Sequence, residues 1–374
     1  MLVSLPPVNV ATREARAQAA VAATNTDAMI VTGLSNIRWL TGFAGSNATV
    51  LLTDDRITLF TDSRYADRAP RELTEAGSSA EIVIARADLG ARVAERLDGA
   101  SSVALEAEYV TWMQQRDIAG RWLPDHEIVA TGEVLDRVRA TKDEAELARI
   151  RAAADLVDDA LRTVTPLLRE QPTERAFAAA LEAQIRTNGG AAHSVETDLG
   201  FDTIVASGPN GAIPHHAPVD RVIETGDLVI VDVGGRVDGY RSDMTRTFCV
   251  GSLTADQSRH YDTVIAAQQA GVEAMVVGAE TNAVDRAARS VIADAGWADS
   301  FTHGTGHGVG LDIHELPRVA STSGAADVYE AGTVATVEPG VYLRGLAGVR
   351  IEDTCVATMN GAERLTSFPK DPEI

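Results

Sequence analysis

Short apolar runs and longer periodic stretches follow one another along the chain. DAMIVT (27–32), ATVLLT (48–53), ITLFTD (57–62), EIVIAR (81–86) and SVALEA (102–107) are rich in β-branched and aliphatic residues and bounded by polar ones. Runs of this kind predict strands. Asp54-Asp55-Arg56, between the second and third, predicts a hairpin turn. DLGARVAERL (88–97) has a helical pattern instead. Strands alternating with helices predict a mixed sheet with covering helices.

Near residue 140 the texture changes. Thr141-Lys-Asp-Glu144 reads as a capping box. Leu147, Ile150, Ala154, Val157 and Leu161 follow at spacings of three to four, which predicts a long amphipathic helix. Further helices are predicted at about 173–187, ending before Gly189-Gly190, at about 255–276 after Thr254-x-x-Gln257, and at about 282–295 between Thr281 and Gly296. Strand pairs with glycine-rich turns lie between and after them. The expected division is into domains 1–138 and 139–374.

Composition narrows the class. Of 374 residues 45% are hydrophobic and 23% charged, so disorder as the main state is excluded. No apolar run approaches the roughly 18 residues of a membrane span. The opening stretch, broken by Pro6 and Pro7, predicts no signal peptide. Lys+Arg number 33 against 54 Asp+Glu, a net charge of -21 with no strong basic patch. Such a chain is repelled by phosphate backbones and anionic lipid, so neither nucleic acid nor membrane is an expected partner. Cys249 and Cys355 sit in apolar, β-branched stretches and are expected to be buried, inert thiols in a reducing, cytoplasmic setting.

The chemistry concentrates in three segments. In DLVIVDVGGRVDGYRSDMTRTFCV (227–250), Asp232 interrupts an apolar run. A buried carboxylate is costly unless a cation or hydrogen bonds compensate it. A hairpin turning between Val237 and Asp238 would set Asp232 opposite Asp243. In TVATVEPGVYLRGLAGVRIEDTCVAT, Glu338 and Glu352 are likewise symmetric about Gly345. Like charges facing each other across a ladder are destabilising, and call for a proton or a metal between them. Between the two hairpins, HGTGHGVGLDIHELP (303–317) holds His303, His307 and His314 among glycines that allow close backbone approach. It contains no G-x-G-x-x-G and no Walker lysine, and Arg318 stands where H-E-x-x-H needs its second histidine. Four carboxylates with an imidazole suit two ions about 3.5 Å apart. Oxygen-rich ligation favours manganese or cobalt over a thiolate-type zinc site.

VDVGG…GYRSDMTRT, HGTGHGVGLDIHELP, VEPGVY and GVRIED together resemble the M24 metallopeptidases of the creatinase/aminopeptidase fold, in their Xaa-Pro branch of aminopeptidase P and prolidase. NIRWLTGFAGSN (36–47) and FTDSRYADRA (60–69) extend the resemblance to the family's creatinase-like N-domain. It implies an α+β pita-bread catalytic domain preceded by a smaller creatinase-like α/β domain. It also implies two divalent ions, manganese first with cobalt or zinc as alternatives, held by Asp232, Asp243, His307, Glu338 and Glu352, with Asp243 and Glu352 bridging. Hydrolysis of the bond before proline, by a hydroxide held between the ions, would follow. Glu338 would shuttle the proton, and His215 in FDTIVASGPNGAIPHHAP and His314 would sit at the substrate. His216 would be peripheral. Arg350 matches an arginine beside the site, as counter-charge to Glu352 or in contact with substrate or a carboxylate. The partner is a proline-containing peptide. A homodimer is expected, with Arg38 and Trp39 as candidates to approach the other subunit's site. Three rivals share the fold: methionine aminopeptidase, which normally lacks this N-domain, creatinase-type non-peptide hydrolases, and a non-catalytic binding module. The last two usually lose metal ligands, and all five stand here.

Overall fold

A computed structural model describes residues 5–192, 195–322 and 327–374; the first four residues of the opening stretch lie outside them. The described chain forms two compact units, Pro6–Arg139 and the segment from Ala140 to Ile374 together with Leu5.

In the first unit all five predicted strands form. They join an unpredicted sixth, Glu127–Thr131, in one mixed sheet. Ala28–Val31 lies at its centre, antiparallel to Ala48–Thr53 and parallel to Ser102–Glu106. Both faces are covered, which explains why the central runs are apolar throughout rather than alternating. Ala11–Ala22 and Leu34–Thr41 are helices that their weak periodicity did not disclose. Trp39 is fully buried within its own subunit, with the guanidinium groups of Arg13 and Arg16 5.9 and 5.8 Å from its ring centroid. It is a core residue, and its expected role at another subunit's site is withdrawn.

The second unit repeats one device: a helix pair packed behind a β-hairpin. Glu144–Val164 and Glu174–Ala192 bury Val157, Leu161, Phe177, Leu181 and Ile185 against Val229, Val231 and Val233. Ala255–Ala274 and Thr281–Asp294 bury Val264, Ala288 and Ile292 against Val341, Val349 and Ile351. The capping details differ from expectation in three places. The first helix is capped by Asp143, whose side chain accepts from Glu146 N, and not by Thr141. Thr141 is engaged in an isolated bridge to Thr333. The second helix runs through Gly189-Gly190 to Ala192 instead of ending before them. Thr281 is the first residue of the fourth helix, not its cap. The Thr254/Gln257 box forms as predicted.

Candidate metal centre

The first hairpin folds two residues out of the predicted register. Leu228–Val233 pairs with Met244–Cys249 so that Asp232 faces Thr245, not Asp243. The turn residues are Asp238 and Gly239, both left-handed at φ 46° and 81°, joining Val237 to Tyr240. A two-residue turn with positive φ at both positions matches the strand twist, and it moves the hairpin axis by one residue. Asp243 stands two residues before Thr245, so it shares a face with Asp232 as its diagonal neighbour.

The second hairpin has the predicted register. Val337↔Asp353, Gly340↔Arg350 and Leu343↔Ala347 are all symmetric about Gly345, the alignment that sets Glu338 against Glu352. Two threonines stitch the hairpins together. Thr245, two residues after Asp243, donates to Glu352 Oε2 at 2.7 Å, and its carbonyl accepts from Glu352 N. Thr354, two residues after Glu352, bonds reciprocally to the backbone of Asp243. These carboxylates are therefore aimed by the opposite hairpin. Carboxylate-x-threonine, repeated in both segments, was the sequence signal for it.

His307 enters from Gly306–Gly308, a strand paired with Glu315–Val319. A Cβ on Gly306 would lie 2.0 Å from Thr336 O, and one on Gly308 2.0 Å from Leu316 O, so only glycine fits on either side. The Nδ1 of His307 is 3.0 Å from Gly308 O and must donate to it. Nε2 then faces Asp243 Oδ2 at 3.7 Å and Glu338 Oε1 at 3.3 Å. One ligand atom each from Asp243, His307 and Glu352 lies within 4.8 Å of the others.

Electrostatics make the need for a cation explicit. Burial, followed by repulsion from Glu352, Asp232 and Glu338, pushes Asp243 well above the ordinary carboxylate range. Burial and the charges of Glu338 and Asp232 do the same to Glu352, and burial raises Asp232. Glu338 differs: burial opposes its charge, but the hydrogen bond and charge of His307 hold it down to about 2. Oδ1 of Asp232, Oδ1 of Asp243 and Oε1 of Glu352 are buried without a hydrogen-bond partner among the described residues. Three orphaned carboxylate oxygens, on side chains that line one cavity with the His307 imidazole, fit divalent cations by charge and by donor type.

The five expected ligands line one cavity of about 290 Å³, and His215, His314 and Arg350 line it as well. The imidazole of His314 meets His307 edge-on at a centroid distance of 4.4 Å. Its loop is anchored by the buried pair Lys142 Nζ–Glu315 Oε1 at 2.6 Å. Arg350 is the counter-charge of Asp232, at 2.6 Å, rather than of Glu352. Its remaining donors reach Thr245 Oγ1, Tyr342 Oη and Pro214 O. Two further groups had no role assigned from the sequence. His303 also lines the cavity. Its Nδ1 donates to Gly304 O, so its Nε2 accepts from Tyr342 Oη at 2.9 Å. Tyr342 was visible in VEPGVY, but its partner lies 39 residues away.

Comparison with known proteins agrees with this geometry. Residues 148–359 match the model of metallopeptidase family M24, and residues 13–141 match the creatinase/prolidase N-terminal domain. The chain is 34% identical over 347 residues to the uncharacterized peptidase YqhT of Bacillus subtilis, spanning 92% of this chain and 95% of that one. Two solved structures superpose over nearly their whole length. An Xaa-Pro dipeptidase from Bacillus anthracis has TM-score 0.89 and 30% identity, covering 98% of this chain and 100% of the other. An X-Pro aminopeptidase from Thermotoga maritima has TM-score 0.83 and 28% identity, covering 95% and 100%. The expected architecture, a pita-bread catalytic domain after a creatinase-like N-terminal domain, holds. With its family match spanning more than half of its length, the chain belongs to metallopeptidase family M24.

Proposed function

We propose that this enzyme hydrolyses the peptide bond before proline, in Xaa-Pro dipeptides or at the N-terminus of longer Xaa-Pro peptides. The observation that carries the reading is the set of three orphaned carboxylate oxygens, on Asp232, Asp243 and Glu352, in a cavity that also holds His307, His215 and His314. Asp232, Asp243, His307, Glu338 and Glu352 would hold two divalent ions, with Asp243 and Glu352 shared between them. Manganese comes first, because four of the five donors are hard oxygens, and cobalt or zinc second. Once bound, the ions would acidify water to a nucleophile at neutral pH and polarise the scissile carbonyl.

The chain's own residues then have distinct tasks. Glu338 would accept the proton that the attacking water loses and return it to the proline nitrogen. That nitrogen belongs to a tertiary amide without an N–H, so it leaves only after receiving a proton. His314, whose imidazole meets His307 edge-on, donates to the carbonyl oxygen as negative charge develops there. His215 stands on the same cavity for the same task. Arg350 orients Asp232 through the 2.6 Å contact and its charge opposes the burial that raises that carboxyl. Phe201, Ile204 and Ile313 give the cavity apolar walls suited to a proline ring.

We take residues 1–138 and 139–374 as the functional domains, supported by the change of compact unit between Arg139 and Ala140. A cytoplasmic location is supported by two buried free cysteines. The homodimer rests on the family resemblance alone, and full activity from a monomer at nanomolar concentration would remove it.

The deciding assay compares an Xaa-Pro dipeptide, an Xaa-Pro-Yaa tripeptide and Met-Ala-Ser on manganese-loaded protein, with metal content measured on the same preparation. Cleavage of the Xaa-Pro substrates alone is expected, and the ratio of the first two separates prolidase from aminopeptidase P. Faster cleavage of Met-Ala-Ser would make the protein a methionine aminopeptidase, despite its N-terminal domain. Full metal content without peptide hydrolysis would favour a creatinase-type reaction.

A further inference from the structure

The loop that brings His215 to the cavity is held from behind by one carboxylate. Glu174, first residue of the helix Glu174–Ala192, has a wholly buried side chain. Its Oε1 accepts from Ser207 N at 2.8 Å, Ser207 Oγ at 2.7 Å and Asn210 Nδ2 at 3.0 Å. Its Oε2 accepts from His216 Nε2 at 2.9 Å and Val219 N at 3.2 Å. These donors span the segment from residue 207 to residue 219, and His215 lies inside it. His215 has no hydrogen bond of its own among the described residues, so its imidazole sits where the backbone carries it. The backbone of Glu174 adds a further tie, its N–H donating to Arg221 O at 3.0 Å.

Leaving a carboxylate charged in such a place is expensive unless every lone pair is used. Here the hydrogen bonds outweigh burial and hold Glu174 below its ordinary value, at a helix N-terminus that also favours negative charge. The group is thus built to stay ionised and to gather donors from both arms of one loop. His216, which the sequence suggested was peripheral, is one of those donors.

We propose that Glu174 is a positioning residue for hydrolysis: through Ser207, Asn210 and His216 it fixes the loop that sets His215 at the carbonyl oxygen of the substrate. The proposal rests on the reading of His215 given above. A carboxylate that merely supported the fold would change stability, but would leave kcat untouched in the protein that does fold.

The test uses the manganese-loaded full chain and an Xaa-Pro substrate. Glu174→Gln keeps the shape but puts an amide N–H against at least one donor. It should lower kcat by roughly 10- to 100-fold, the usual cost of losing a group that orients a functional side chain. KM should move by less than about threefold and metal content should stay constant, because Glu174 touches neither ligands nor cavity. Asn210→Ala removes one of the five donors and should lower kcat in the same sense by a smaller factor. The double variant Glu174→Gln/His215→Ala should be no slower than His215→Ala alone, since one residue acts through the other. If the two losses multiply, or if Glu174→Gln keeps wild-type kcat while His215→Ala does not, the positioning role is overturned and that of His215 stands. If His215→Ala is itself as fast as wild type, the reading of His215 falls first and the positioning role falls with it. Should Glu174→Gln fail to fold, Asn210→Ala and Ser207→Ala carry the same comparison with His215→Ala.

Discussion

Glu352→Ala should yield a folded protein that has lost both its hydrolytic activity and part of its metal. Glu352 is buried, Thr245 fixes its Oε2, its Oε1 has no hydrogen-bond partner among the described residues, and one of its oxygens lies within 4.8 Å of ligand atoms of Asp243 and His307. In the proposed ligand assignment it is one of the two carboxylates shared by both ions. Metal assistance contributes several kcal/mol of transition-state charge stabilisation. At about 1.36 kcal/mol per tenfold, its loss lowers turnover by at least about 10³-fold. Asp243→Ala should behave alike, because the two carboxylates occupy equivalent places in mirrored hairpins.

Stability should respond in the opposite direction once metal is chelated. In the metal-free protein the Glu352 carboxyl is pushed well above its ordinary value by burial and then by Glu338 and Asp232. For a carboxyl with a raised folded value, its stability contribution is complete below the ordinary value and is lost as pH rises through the raised one. In chelator, Glu352→Gln should therefore cost little or raise the melting temperature at pH 8, while removing most of the stabilisation that manganese brings. Metal analysis, turnover and melting curves on one preparation decide the matter. Two ions at wild-type occupancy in Glu352→Ala would end its assignment as a bridging ligand.

His314→Ala separates catalysis from metal binding. The side chain lies edge-on to His307 and lines the cavity, but it is exposed and stands outside the group of ligand atoms around His307 Nε2. Both ions should remain. Loss of one hydrogen bond to a developing oxyanion costs on the order of 10²–10³ in turnover, about 2.7–4 kcal/mol. The fold should barely notice, since the loop is anchored by Lys142–Glu315 and an exposed imidazole supports little packing. A variant that loses an ion makes His314 a ligand. One that keeps both ions and wild-type turnover shifts the oxyanion role to His215.

Chemistry expressed within a few residues was legible in the sequence. A carboxylate inside an apolar run, a cap three residues before its partner and glycines on both sides of His307 each reflect a local constraint. The Gly345 hairpin was legible for the same reason: its two arms are short, and their apolar patterns admit one alignment. From these features and the family resemblance came the pita-bread fold, the creatinase-like N-terminal domain and the proposed ligand set.

What stayed hidden depended on distant partners or on a single dihedral. The first hairpin's register follows from the left-handed backbone of Asp238, a residue that reads equally well one place along in the turn. The helix through Gly189-Gly190 outlasts its propensity, and the predicted Thr141 cap yields to Asp143 two residues later. Thr245 aims a carboxylate 107 residues away, Arg350 reaches Asp232 across 118, and Glu174 gathers its donors from 33 to 45 residues along the chain. Residue identity alone determined which groups could bind metal and move protons. Their orientation was decided only by the folded chain, because a buried carboxylate takes its direction from whichever donors the tertiary packing places around it.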